Sequence, residues 1–318
     1  MRRYIFRRLA NTLITLFFII ATNFFLFRLM PGAPIKTMAR SQKLSASMVK
    51  YLENLYGLDK SLFEQFLIYI KNCLTFDMGT SFKFHTEVTP LLIERMGNTL
   101  VLVLASTILA IVLGVLAGLW AGWKRGKPID LTLLGTSLFF WSMPTFWICM
   151  IFMALFAGIL PIGGMRDLQL ENPTRWVAFL DLLKHITLPT VVMTITYMGQ
   201  NLLITRNEVT NILTQDYIAT ARAKGLSRWR ITFKHVLRNA SLPLLSSAAL
   251  SIAFIMSGAL QTEIIFSWPG IGRLLYEATL TRDYPVLQGS FYLLSLAVLF
   301  ANLITDIAYK YIDPRVEY

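Results

Sequence analysis

The residue types that carry most enzyme chemistry are few and scattered in this sequence. Its three histidines, His85, His185 and His235, are isolated from one another and match no metal-ligand spacing, so we interpret each as structural. Cys149 lies in an apolar run and Cys73 does not, so no disulfide is predicted between them. The pattern therefore predicts neither a metal centre nor a disulfide framework.

Motifs for nucleotide binding and hydrolysis are also absent from the sequence. The single Gly-Lys pair, Gly126-Lys127, is followed by Pro128, so the sequence has no G-x-x-x-x-G-K-[ST] phosphate loop. Neither H-E-x-x-H nor G-x-S-x-G occurs. The chain is therefore not predicted to be an enzyme, and any uphill process that it serves must draw its energy from another chain.

The composition indicates a membrane protein instead. Of the 318 residues, 55% are hydrophobic and only 15% are charged, and few soluble proteins are this apolar. We predict an all-α integral membrane protein with six transmembrane helices. These are placed at Leu9–Phe27, Gly97–Trp123, about 132–157 with a kink near Pro144, Ile186–Thr205, Asn239–Thr262 and Tyr284–Thr305, with residues 166–184 as an external connection.

Polar residues inside these runs are the candidates for a solute path. Glu263 and Asp306 lie near the ends of apolar runs, where a carboxylate either meets water or faces a path. For each polar residue taken alone, a hydrogen bond between helices is the simpler interpretation. The substrate-path candidates are Asn98, Ser142, Pro144, Gln200, Asn201 and Glu263, and further polar positions are Ser106, Ser251 and Ser257.

A row of glycines marks the second apolar run. Gly114, Gly118 and Gly122 recur at four-residue spacing and so share one face of a helix. Small residues on one face allow close packing in lipid, although glycine is also commoner in membrane helices generally. The strict register favours a helix-packing face.

A basic segment from Asp216 to Pro243 separates two apolar runs. Alanines alternate with Arg and Lys in its first half, Gly225 is a natural helix stop, and Ser227 is predicted to cap a second helix, Arg228–Leu237. An alanine-faced helix lets another backbone approach, which predicts a protein-docking element; contact with anionic lipid is the alternative and needs charge alone. The predicted docking residues are Ala219, Thr220, Ala221, Arg222, Ala223, Lys224, Gly225, Leu226 and Arg228.

The same segment resembles a known family. Its ARAKGLS, followed by KHVLRNASLP, is similar to the cytoplasmic loop of permease subunits of ABC importers in the dipeptide, oligopeptide and nickel branch. The general importer pattern has Glu-Ala-Ala before the glycine, whereas Ala219 and Thr220 stand here, a departure usual in the peptide branch. Other family-like motifs keep their order along nearly the whole chain, at residues 30–32, 56–59, 76–82, 142–147, 262–275, 282–289 and 313–315.

The resemblance implies an importer-type ABC transmembrane domain for di- and oligopeptides, with oligosaccharides or nickel chelates as alternative solutes. It implies a first transmembrane helix with its cytoplasmic end in residues 1–30, a large extracytoplasmic loop or cap in 31–96, and a permease core of five helices in 97–318. Residues 206–239 would be the ATPase-coupling loop. The implied partners are a second homologous permease subunit, two ATPase subunits that hold ATP and Mg, and an extracytoplasmic binding protein, with no cofactor on this chain.

Basic residues predict the orientation of the chain. With the amino terminus inside, Lys and Arg concentrate in the cytoplasmic segments, as the positive-inside rule requires. Both termini are therefore predicted to lie in the cytoplasm, with the chain in the inner (cytoplasmic) membrane. The same distribution accounts for the net charge of +12 without nucleic acid as a partner.

Three alternatives follow from the same features. A cleaved signal peptide would have a shorter apolar core than Leu9–Phe27 and a small-residue cleavage site after it. An ion-coupled secondary transporter would show internal repeats and mid-membrane ionisable residues, neither of which is clear here. A membrane scaffold would not need polar residues within its spans.

Overall fold

The computed structural model describes residues 2–28, 60–240, 244 and 259–312. All the regular elements among these residues are helices, as the sequence predicts, and only isolated β-bridges accompany them. In chain order the helices are α1 (Arg2–Arg28), α2 (Leu62–Thr75), α3 (Val88–Trp123), α4 (Pro128–Ser142), α5 (Thr145–Phe156), α6 (Arg175–Leu213), α7 (Asp216–Ala223), α8 (Arg228–Ile231), α9 (Ile271–Thr281) and α10 (Tyr284–Ile312). A π-helical turn, Thr232–Val236, follows α8, and residues 259–265 are also helical.

Four of the described helices are long and apolar enough to cross a membrane. They contain the segments Ile5–Arg28, Val88–Trp123, Arg175–Leu213 and Tyr284–Ile304. Counting α4 and α5 together as one bent span gives five. The predicted span Asn239–Thr262 lies largely outside the described residues, as do Ser251 and Ser257.

The predicted kink near Pro144 is in fact a complete break. Helices α4 and α5 meet at 104°, far more than a proline kink within one continuous helix. Met143 is extended (φ −78°, ψ 141°) because the proline ring disfavours a helical conformation in the residue before it. Pro144 is extended as well (φ −57°, ψ 128°), so two successive residues leave the helix and the chain turns.

Helix α6 is longer than the sequence predicts. The expected span was Ile186–Thr205, with residues 166–184 as a connection, but the helix begins at Arg175 and ends at Leu213. Thr174 caps its first turn by accepting a hydrogen bond from the Val177 N–H, and His185 pairs with Asp181 one turn earlier (Nδ1–Oδ1 3.1 Å). These local bonds extend the helix past the apolar run, so the connection predicted for residues 166–184 is helical from Arg175 onward.

The chain divides into two compact units, residues 1–97 with 273–303, and residues 98–272 with 304–318. In the first unit, Ile20 of α1, Cys73 of α2 and Tyr292 of α10 share a buried core. In the second, α6 is the central helix: α5 packs on its Leu188 side, and the Ser137 backbone of α4 lies against Gly199. Cys73 and Cys149 are both free, in line with the prediction that no disulfide joins them, and both are buried.

Candidate functional site

The glycine row on α3 faces α6 across a very short separation. A Cβ placed on Gly118 would lie 2.5 Å from the Thr205 Cβ and 2.6 Å from the Leu202 carbonyl oxygen. The same test at Gly114 and Gly122 gives 2.7 Å to the Cβ atoms of Asn201 and Val209. The residues met on α6 are themselves four apart, so the two helices run in register along this contact.

A buried ion pair lies at the end of the α3–α6 helix pair. The Asp130 carboxylate, fully buried in the first turn of α4, accepts hydrogen bonds from Arg206 Nε (2.8 Å) and Nη2 (2.9 Å) on α6. It also accepts one from the Gly126 N–H (2.9 Å) in the turn between α3 and α4. One carboxylate thus joins that turn to α6 seven residues before α6 ends at Leu213.

The predicted docking segment follows directly after α6. Helix α7 ends as predicted: Gly225 adopts φ +74°, which favours glycine, and its N–H bonds to the Arg222 carbonyl. The Ser227 hydroxyl then accepts a hydrogen bond from the Arg230 N–H (3.3 Å), so the predicted capping residue is also present.

The second helix of the segment covers the predicted residues, Arg228–Leu237, but it is not α-helical throughout. After the four residues of α8 it widens into the π-helical turn Thr232–Val236, and residues 237–240 are α-helical again. Ile231 and Val236 are five residues apart, which places them on different faces of an α-helix but on nearly the same face of a π-helix. Both are buried here, so the wider turn directs both side chains into one core.

One face of the docking segment is fixed to the helix pair. Ile218 and Ala221 of α7 join Leu119 of α3 and Val209 and Ile212 of α6 in one buried apolar cluster. Ile231 and Val236 belong to the same cluster, with Leu226 packed at its edge. The docking segment therefore packs against the ends of α3 and α6.

Two arginines of the segment lie over an aromatic ring at the end of α3. The guanidinium carbon of Arg228 is 4.4 Å from the centre of the Trp123 ring, and that of Arg222 is 5.8 Å away. A cation is attracted to the face of an indole ring, and at an exposed site such a contact stabilises the fold by about 0.5–1 kcal/mol. The sequence reasoning missed Trp123, although its place between the apolar run and a basic turn was a usable signal.

The opposite face of α7 is exposed. Ala219 and Ala223, one helical turn apart, form a flat outer surface with Thr220 and Lys224. Beyond the turn, the rings of Trp229 and Phe233 lie against each other with centres 4.2 Å apart, and Trp229 is 74% exposed. This aromatic pair was also missed by the sequence reasoning; its four-residue spacing within a basic helix was the signal.

Glu263 is buried in the structure and does not lie in water at the end of a span. Its carboxylate is fully buried and accepts a hydrogen bond from the Thr99 hydroxyl (2.6 Å) of α3. The Thr99 oxygen in turn accepts from the Ile271 N–H (2.9 Å). A Cβ placed on Gly270 would lie 2.3 Å from the Glu263 carboxylate, so glycine lets the 267–272 segment pass close to this carboxylate in its present position.

Asn98, which precedes Thr99 in the chain, also forms hydrogen bonds with the 267–272 segment. Its side-chain amide donates to the Pro269 carbonyl (2.9 Å), and its own carbonyl accepts from the indole N–H of the buried Trp268 (2.9 Å). Asn98 and Glu263 are thus brought together by structural hydrogen bonds that hold one loop.

The remaining path candidates are dispersed over α4 to α6. The Ser142 hydroxyl donates to the Leu138 carbonyl of its own helix (2.7 Å), and Pro144 is exposed at the break between α4 and α5. Asn201 is buried beside Gly114, whereas Gln200 next to it is only half-buried. Asp306 is half-buried on α10.

Comparison with known proteins identifies the family. Residues 110–318 match the model described as binding-protein-dependent transport system inner membrane component, and residues 1–103 match the model of its N-terminal region. The chain belongs to this family. It is 35% identical over 334 residues to the di/tripeptide transport system permease protein DppB of Pseudomonas aeruginosa, covering 100% of this chain and 99% of the relative.

Two other relatives also match this chain along its full length. The dipeptide transport system permease protein DppB of Escherichia coli K12 is 34% identical over 337 residues (100% of this chain, 99% of the relative). The oligopeptide transport system permease protein AppB of Bacillus subtilis is 34% identical over 322 residues (100% of both chains). A solved inward-facing structure of the MetNI methionine ABC transporter shares the fold, with TM-score 0.55 and 18% identity over 70% of this chain and 96% of that one.

Proposed function

We propose that this chain is the permease subunit that forms part of the translocation path of an ATP-driven importer for di- and oligopeptides. The observation that carries the proposal is identity of 34–35% along the whole chain to permeases named for dipeptide, di/tripeptide and oligopeptide transport. The family assignment and the apolar spanning helices support a multi-pass protein of the inner membrane. The orientation with both termini in the cytoplasm is part of the proposal and rests on the positive-inside pattern.

The proposed partners follow from the transport system to which the family belongs. They are a second, homologous permease subunit, two ATPase subunits that bind ATP and Mg, and an extracytoplasmic binding protein. This chain performs no covalent step. It alternates the access of a central path, and its permease core spans residues 97–318.

The docking segment is the proposed point of coupling to the ATPase. Its outer face, with Ala219, Ala223 and Lys224, is open to a partner. Its inner face is seated on α3 and α6 through Ile218 and Ala221. Because protein interiors are close-packed and transmit strain, a displacement of α7 by the partner moves the ends of both helices together.

The substrate class is tested by uptake into cells that lack this chain. Removing the chain is expected to abolish uptake of a labelled dipeptide or tetrapeptide, and its re-expression to restore it. Inactivating the partner ATPase in the restored strain should again abolish uptake. A labelled trisaccharide and a labelled nickel chelate serve as controls. Unchanged peptide uptake with loss of sugar or nickel uptake would replace the peptide assignment with one of the alternatives.

A further inference from the structure

Helix α2 packs along the side of α1 instead of standing clear of it. The Phe66 ring of α2 lies 5.2 Å from the Phe24 ring and 6.3 Å from the Phe17 ring, measured between centres. Tyr69 is 5.7 Å from Phe24, and its hydroxyl accepts a hydrogen bond from the Asn23 side chain (2.8 Å). The contact therefore extends over at least two turns of a helix proposed to span the membrane.

The level of these contacts places α2 within the thickness of the bilayer. The apolar run of α1 ends at Phe27, and Phe17 lies about 15 Å below that end at 1.5 Å per residue. On α10, the Tyr292 hydroxyl donates to the Cys73 carbonyl (3.1 Å) roughly 12 Å from the start of that helix at Tyr284. The hydrocarbon core is about 30 Å thick, so these contacts set α2 against the outer half of the two proposed spans, α1 and α10.

The surface that α2 turns away from its neighbours has two flanks of different character. Phe63, Leu67 and Leu74 fall on one side and are exposed, Phe63 to 69% and Leu74 to 65%. Glu64 and Lys71 fall on the adjoining side and are exposed as well. A helix with one apolar flank and one charged flank is suited to the boundary between hydrocarbon and water.

We propose that α2 is a membrane-inserted interfacial helix whose Phe63–Leu67–Leu74 flank contacts bilayer lipid. The apolar flank is continuous with the lipid-facing surface of α1, where Phe17 is half-exposed and touches Phe66. Glu64 and Lys71 then face the head groups and water, and the long lysine side chain reaches outward to them. This placement removes α2 from the large extracytoplasmic cap that the sequence suggested for residues 31–96.

Collision accessibility of spin labels tests this placement in the assembled transporter in lipid nanodiscs. The labels are placed by Leu67→Cys and Lys71→Cys, one turn apart on the same helix. Phe18→Cys on α1 is the lipid-facing reference, and Thr86→Cys in an exposed turn is the aqueous reference. The native Cys73 and Cys149 are both buried, so the unsubstituted protein measures background labelling.

The label at position 67 should collide several-fold more with oxygen than with a water-soluble nickel complex, matching the Phe18→Cys reference. The label at position 71 should show the opposite preference. High nickel accessibility at both positions would mean that α2 lies in water and would overturn the proposal. Protection of position 67 from both reagents would mean that a protein partner covers this flank, which would also overturn it. A fluorescent label at Leu74 with a lipid-borne quencher gives an independent measurement if Leu67→Cys does not assemble.

Discussion

Replacing Gly118 by leucine should prevent the correctly folded permease from accumulating in the membrane. A Cβ at this position would lie 2.5 Å from the Thr205 Cβ and 2.6 Å from a backbone oxygen, and neither neighbour is a flexible chain end. Gly118→Ala inserts one methyl group and should cost about 1–3 kcal/mol, offset in part by the better helix propensity of alanine, up to ~1 kcal/mol. Leucine adds three further carbons, and the helices must separate along the whole glycine row.

Gly97 provides a matched control on the same helix. It also belongs to α3, but apart from the adjacent backbone of its own helix nothing lies within 4 Å of a Cβ placed there. Gly97→Leu should therefore leave the amount of folded protein unchanged, as measured by membrane yield and by the monodisperse fraction after solubilisation. Equal yields for Gly118→Leu and Gly97→Leu would show that α3 and α6 do not pack as described.

The second large effect is expected at the buried ion pair. Arg206→Leu leaves the fully buried Asp130 carboxylate with the Gly126 N–H but without its guanidinium partner. Removing one member of a deeply buried ion pair costs roughly 3–5 kcal/mol. A smaller loss of about 1–3 kcal/mol is expected here, because Arg206 is partly exposed and water can approach the carboxylate once the guanidinium is removed. The thermal stability of the purified transporter should fall accordingly.

The double variant separates the charge from the packing. Asp130→Leu combined with Arg206→Leu removes both charges, so it should be more stable than Arg206→Leu alone. If the double variant is as unstable as the sum of the two single variants, the two side chains do not interact and the ion pair contributes nothing to the stability of this end of the helix pair.

The sequence was most informative where the signals are local. Gly225 and Ser227 mark a helix end and a helix start, because a positive φ and a side-chain cap are properties of single residues. The register of Gly114, Gly118 and Gly122 predicted a face for close packing, but not that α6 is the helix it meets. Choosing between neighbours requires long-range information that one sequence does not contain.

The features that could not be predicted depend on contacts between distant segments. Pro144 indicated an interruption, but the 104° angle follows from two consecutive extended residues and the packing of α5 on α6. Glu263 was compatible with either water or a path, and only the hydrogen bond from Thr99, 164 positions away, shows that it is enclosed. The Asp130–Arg206 pair is separated by 76 positions and gave no local pattern.

The most direct test of the account measures peptide uptake and ATPase activity together in the reconstituted transporter carrying Ala219→Trp. This substitution adds bulk to the outer face of α7 and leaves the buried face, with Ile218 and Ala221, unchanged. Two other changes in this segment would disturb its fold more. Gly225→Asp strains a residue at φ +74°, and Arg222→Glu reverses the charge near Trp123. Arg125→Trp, exposed in the turn between α3 and α4, is the matched control.

With Ala219→Trp, uptake and the ATPase activity stimulated by the loaded binding protein should fall together, by about tenfold or more, which corresponds to ~1.4 kcal/mol of lost docking energy. The control should retain both activities. Uptake that persists under an ion gradient without any ATPase subunit would contradict the account and identify the chain as a secondary carrier.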